Sequence, residues 1–105
     1  MTTVQVSFPV PPEVLWNSLP AGVAAAGGSA PYYDPQRGTV FFKTGMSLLS
    51  WGQNVTVTVS HAPGGSALTV QTTLKLGLID WGEGKRLGNR FTAAVAHAAG
   101  IPALT

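Results

Sequence analysis

Residues 53–76 read QNVTVTVSHAPGGSALTVQTTLKL. Before the central turn, Val55, Val57 and Val59 alternate with Asn54, Thr56, Thr58 and Ser60; after it, Leu68, Val70, Leu74 and Leu76 alternate with Thr69, Gln71, Thr73 and Lys75. Alternation with a period of two sends one set of side chains to a core and the other to water, so each half reads as a half-buried strand. Ala62-Pro63-Gly64-Gly65 is a turn by composition, with strands at 53–60 and 66–76 on either side. Residues 39–44 add a third strand to this meander, with Val40 and Phe42 on one side and Phe41 and Lys43 on the other.

Toward the N-terminus, Val4, Val6 and Phe8 alternate with Thr3, Gln5 and Ser7, a strand that Pro9 ends. Pro11 and Pro12 suit the first turn of a helix, where no amide donor is needed. Val14, Leu15, Leu19 and Val23 recur at helical spacing with Trp16 nearby, which predicts a helix over 11–25. Pro20 should kink or shorten it, and Gly27-Gly28 should stop it. Residues 29–34, with Tyr32 and Tyr33, read as a short strand, and Asp34-Pro35-Gln36-Arg37-Gly38 as a turn. At the other end a helix is predicted over 81–99. Asp80 and Glu83 have capping-box spacing, and Leu87, Phe91, Ala94, Val95 and Ala98 form its core stripe. Gly84 and Gly88 cost that helix about 1 kcal/mol each relative to Ala, and they allow it to lie close to the sheet. Gly100 and Pro102 end it.

Strand, helix, four strands, helix, joined by short connections, predicts an α+β two-layer sandwich. Its five-stranded antiparallel sheet has the order 1-5-4-3-2, with two helices on one face of a single domain. Within that topology a near-repeat gains meaning. Ser50-Trp51-Gly52-Gln53-Asn54 and Asp80-Trp81-Gly82-Glu83-Gly84 each follow an apolar stretch and each open a regular element. Both fall at the end of the sheet near Gly27, so Trp51 and Trp81 are expected to be neighbours. Two readings of them stay open. They plug the end of the core, or they form a recognition patch with Leu48, Leu49, Leu78 and Ile79.

Gly45-Met46-Ser47-Leu48-Leu49-Ser50-Trp51-Gly52, together with Asp80-Trp81-Gly82 followed by Lys85, Arg86 and Asn89, resembles a family of small bacterial domains. Its members carry a "GMS..SWG" segment and a "DWG" segment before a terminal helix. The element order also resembles the TATA-binding-protein-like fold. The resemblance implies no activity, cofactor or catalytic residue.

Composition narrows the functional classes. The chain has 105 residues, 45% hydrophobic and 10% charged, which fits one folded domain rather than a disordered segment. Six basic and four acidic residues leave a net charge of +2 with no dense basic patch, which disfavours a nucleic-acid partner. The lack of cysteine removes disulfides and thiolate metal sites and fits a cytoplasmic setting. Residues 1–6 lack the character of a signal peptide, and no apolar run approaches the roughly 20 residues of a transmembrane helix.

Asp80 and Glu83 are accounted for by capping, His61 stands beside a turn, and His97 stands far along the last helix. Neither histidine has a second ligand at metal spacing. No catalytic, cofactor-binding or metal-binding residue is expected, and the chain reads as a non-enzyme. Arg86, Arg90 and His97 share a helix flank that reads as a solvated face or an acidic-partner stripe. The outer sheet face, with Thr3, Gln5, Ser7, Thr56, Thr58, Thr69, Gln71 and Thr73, is polar yet almost uncharged. Phe41 and one tyrosine stand among them, so this face is either simply exposed or a docking surface. The expected function is a protein-interaction module with a protein partner or as a homodimer, for which edge pairing through the Tyr32-Tyr33 strand is one route. The alternative is a small-ligand or lipid-binding domain, taking an apolar molecule in a pocket between helices and sheet.

Overall fold

The computed structural model describes residues 2–45, 52–74 and 83–101. Along the chain run β1 (Thr2–Phe8), α1 (Pro12–Ala25), β2 (Gly28–Asp34), β3 (Thr39–Thr44), β4 (Gln53–Ala62), β5 (Gly65–Leu74) and α2 (Glu83–Ala98). The strands form one sheet in the order β1-β5-β4-β3-β2, every neighbouring pair antiparallel. This is the α+β architecture expected from the alternation.

The register shows why alternation was decisive. Val4 stands opposite Val70, Val70 opposite Val57, Val57 opposite Val40, and Val40 opposite Tyr33, an apolar rung that crosses all five strands. One residue along each strand, Thr3, Gln71, Thr56, Phe41 and Tyr32 form the matching rung on the outer face. A one-residue slip would exchange the two rungs, so burial of a single face specifies the pairing. At the β4–β5 hairpin Ala62 pairs with Gly65, and Gly64 takes φ +81. That is the left-handed value needed at the third position of a Pro-Gly type II turn.

Both helices cover the inner face. Val40, Phe42, Val55, Val57, Leu68 and Val70 are fully buried beneath Leu15 and Leu19 of α1 and Phe91 and Val95 of α2. The rings of Phe42 and Phe91 stack at 5.8 Å with an interplanar angle of 14°.

α1 starts where two prolines favour it. Pro11 is extended, Pro12 occupies the first turn, and the Val14 amide donates to the Pro11 carbonyl at 3.0 Å. Pro20 does not shorten the helix, since α1 continues through it to Ala25. Leu15, Ser18 and Leu19 before it and Gly22 and Val23 after it are all buried, so core packing holds both halves. Pro20 itself faces solvent, where the loss of its amide donor is best tolerated.

The buried stripe of α2 also needs correction. Leu87, Phe91 and Val95 are buried as expected, but Ala94 is half-buried and Ala98 exposed. Gly84, Gly88, Thr92 and Ala96 are buried in addition. The helix is rotated toward its small residues because these permit close approach. A Cβ on Gly88 would lie 2.6 Å from Val4 Cγ2 of β1, and one on Gly22 of α1 would lie 2.7 Å from the Phe91 ring. The Thr92 hydroxyl donates back to the Gly88 carbonyl at 2.9 Å and so is satisfied within its own helix.

Trp51, Trp81, Leu48, Leu49, Leu78 and Ile79, expected as an end plug or recognition patch, and Asp80, expected as a cap, lie outside the described residues. Among the described residues no helix is long and apolar enough to cross a membrane.

Candidate functional site

Among the described residues, a groove lies between α1 and the β2–β3 turn. α1 presents Pro12, Trp16 and Pro20 at successive turns, with Glu13 and Asn17 beside them. Residues four apart on a helix lie one above the other, so these form a continuous wall. The opposite wall is Tyr33 and Pro35, and Gly38 and Val59 close the end. Two adjoining depressions of about 400 Å³ and 360 Å³ share Trp16, Asn17 and Pro35.

Local structure fixes this geometry. The β2–β3 turn is held by the Arg37 amide donating to the Asp34 carbonyl at 3.2 Å and the Gly38 amide donating to the Pro35 carbonyl at 3.3 Å. Gly38 adopts φ +65, and its Cα lies so close to β4 that a Cβ would stand 2.8 Å from the Val59 carbonyl oxygen. The Val59 amide in turn donates to the Gly38 carbonyl at 2.8 Å. The turn is therefore clamped to β4, which sets the width of the groove at that end. Trp16 and Tyr33 meet edge to face, ring centroids 5.9 Å apart and planes at 80°. Both are half-buried and lean on the core, so each presents a rigid ring surface at little entropic cost.

The groove offers largely apolar walls, and its side-chain polar groups belong to Glu13, Asn17, Tyr33 and Trp16. Of the six acidic and histidine side chains, Glu13 alone is among the described lining residues. Asp34 makes an ion pair with Arg37 at 3.6 Å. His61 and His97 are exposed on separate elements, and no metal-sized group of three such residues exists among the described residues. This arrangement suits recognition of an apolar surface better than proton transfer.

Of the residues singled out from sequence, Phe41 is 38% exposed and pairs across the strands with Tyr32, which is 67% exposed. The outer face therefore carries a second aromatic spot, and Tyr32 is its expected tyrosine. Arg86 and Arg90 lie on the exposed side of α2, away from the groove-lining residues. The groove itself was missed. Its available signal was the Pro12-Trp16-Pro20 spacing, one residue per helical turn, although Pro20 taken locally signals only a kinked or shortened helix.

A polar defect lies elsewhere. Gln53, at the start of β4, is fully buried, and neither its Oε1 nor its Nε2 has a hydrogen-bond partner among the described residues. The Thr72 Oγ1 is in the same condition. Gln53 pairs with Leu74 and Val55 with Thr72, so the two are diagonal neighbours on the inner face. A buried polar group without a partner forfeits its hydration. Gln53→Met should therefore raise the unfolding free energy by about 1–2 kcal/mol in urea titration. A loss of stability instead would show that the amide serves as a structural bond.

Compared with models of known protein families and with curated proteins, the chain matches none.

Proposed function

We propose that the protein is a non-enzymatic interaction module whose groove between α1 and the β2–β3 turn receives an apolar, extended segment of a protein partner. The observation that carries this reading is the pair Trp16 and Tyr33, set edge to face and flanked by Pro12, Pro20 and Pro35. Grooves walled by rigid aromatic rings recognise extended proline-bearing peptides, because such a ligand has little conformational entropy to lose. Glu13 at the rim favours a basic residue in the bound segment. Self-association belongs to the same reading, since a surface with so few charges repels its own copies weakly.

A small apolar ligand is the second reading. The groove volume of about 400 Å³ supports it, being of the size small-molecule sites occupy. Between helices and sheet, Phe42, Phe91, Leu15 and Leu19 are fully buried.

The test is a screen of proline-bearing and apolar peptides alongside small-molecule fragments, followed by amide NMR. Peptide binders should shift Trp16, Asn17, Tyr33 and Gly38. Trp16→Ala should weaken them by at least about tenfold, as the loss of an aromatic anchor does. Binders that map to Phe41 or to α2, or an unchanged affinity in Trp16→Ala, would refute the groove. Fragments that bind there while every peptide fails would favour the second reading.

A further inference from the structure

The two edges of the sheet are built differently. β2, at one edge, is irregular. Its pairing with β3 shifts between Ser29 and Tyr32, Ala30 takes φ +50, Pro31 lacks an amide donor, and Asp34 adds a charge. These are devices by which sheet edges avoid pairing with other chains. The route through the Tyr32-Tyr33 strand is therefore the defended one.

β1, at the opposite edge, has none of them. Its seven residues, Thr2–Phe8, contain no proline, glycine or charge, and all seven pair with β5 without a shift. Three of the seven are Val or Phe and two are Thr, all good strand formers. Alternate backbone amides and carbonyls of such a strand point away from β5, where they form a regular template. Val4 sharpens the contrast. It faces inward and lies against Gly88, yet it remains only half-buried because β1 is the last strand on that side.

We propose that β1 is a dimerisation edge, pairing antiparallel with β1 of a second copy to give one continuous sheet across a two-fold axis. This rests on the reading that the chain self-associates, and not on the groove. The occupant is a second copy because the strand is complementary to itself. A two-fold centred on Gln5, the middle residue, keeps all seven positions paired. It sets Val4 against the partner's Val6 on the inner face and Thr3 against the partner's Ser7 on the outer face. No charge opposes its own copy anywhere along the strand, and the partner strand covers the open flank of Val4. Any other register shortens the overlap.

The experiment compares three proteins by sedimentation velocity over a wide concentration range. The wild-type chain should dimerise. Thr3→Lys/Gln5→Lys changes two exposed outer-face residues and, in the dimer, sets position 5 directly against its own copy, adding like charges across the seam. It should keep the monomer fold by circular dichroism and weaken dimerisation by at least about tenfold at low salt, with partial recovery at high salt. Because the chain has no cysteine, Gln5→Cys carries a single thiol. It should oxidise rapidly to a covalent dimer, whereas Ser60→Cys, exposed on β4, should not. The cross-link decides the matter even if the double lysine variant fails to fold.

A wild-type dimer that survives the lysines and gives no selective cross-link overturns the β1 assignment and leaves self-association to another surface. A wild-type monomer at every concentration overturns both. Protection of β1 amides that arises only with a different protein overturns the choice of a second copy.

Discussion

Phe91→Ala should cost about 3–5 kcal/mol of unfolding free energy, the range found when a buried phenylalanine is truncated in a core that cannot collapse. Phe91 is fully buried, stacks on Phe42 at 5.8 Å, and lies against Gly22 of α1. It is thus the side chain through which α2, α1 and β3 meet. Its removal leaves a cavity that neither helix can fill without moving the other. In a domain of this size each kcal/mol shifts the thermal midpoint by about 4–8 °C, so calorimetry should show a fall of more than about 12 °C.

A companion cycle tests the cause. Gly22→Ala alone should destabilise by about 1–2 kcal/mol, because its new methyl would press on the Phe91 ring. In the Phe91→Ala background the same change should stabilise by up to about 1 kcal/mol, since only the gain in helix propensity remains. Additive effects of the two substitutions would refute the contact.

Gly65→Ala should destabilise by about 2–3 kcal/mol, at the upper end of overpacking costs. Gly65 opens β5 at the point where β1 ends. A Cβ there would overlap the Phe8 carbonyl oxygen and lie 2.9 Å from the Val10 amide nitrogen. These are backbone atoms, so no rotamer change relieves the clash. The end of β1 would have to shift, and with it the Ser66 hydroxyl bond to the Val10 carbonyl at 2.8 Å that guides the chain toward α1. Gly64→Ala is the internal control. Nothing lies within 4 Å of its added methyl, and it meets only the cost of a left-handed backbone at φ +81, about 1–2 kcal/mol. Urea titration of the two variants should rank Gly65→Ala as the more severe, although Gly64 is the residue with positive φ. The reverse order would mean that the chain crossing above Gly65 is loose.

Much of the fold was legible because each strand states its own solvent boundary. Val55-Thr56-Val57-Thr58 and Leu68-Thr69-Val70-Gln71 tell inside from outside with no knowledge of their neighbours, and the Pro63-Gly64 turn states that the two strands are adjacent. Helices were less completely legible. In α2 a pattern weighted toward large apolar residues found Leu87, Phe91 and Val95 but included Ala98, which is exposed, and omitted Thr92 and Ala96, which are buried. Small residues carry a weak hydrophobic signal, yet they decide how closely a helix can approach. At Pro20 the helix is not shortened, because Leu19 and Val23 on either side of it are buried.

The candidate site was illegible for another reason. Trp16, Tyr33, Pro35 and Val59 come from four segments, and none is unusual where it stands. The groove exists because the Gly38 clamp on Val59 brings the β2–β3 turn within reach of α1. The contrast between the two edges was likewise hidden. Which strands lie at the edges follows from the order 1-5-4-3-2, but the register shift between Ser29 and Tyr32 and the positive φ of Ala30 arise only when β2 is fitted to β3.

The amino-acid order by itself determined the alternating faces, the strands and helices, and the meander of neighbouring strands, because period and turn chemistry are properties of neighbours along the chain. Only the tertiary structure decided where Trp16 meets Tyr33, which glycines sit beneath another element, that β1 pairs with β5, and how the pairing of the two edge strands differs in regularity. Those features depend on how distant segments close on one another in space, and nothing in local periodicity encodes the distance between them.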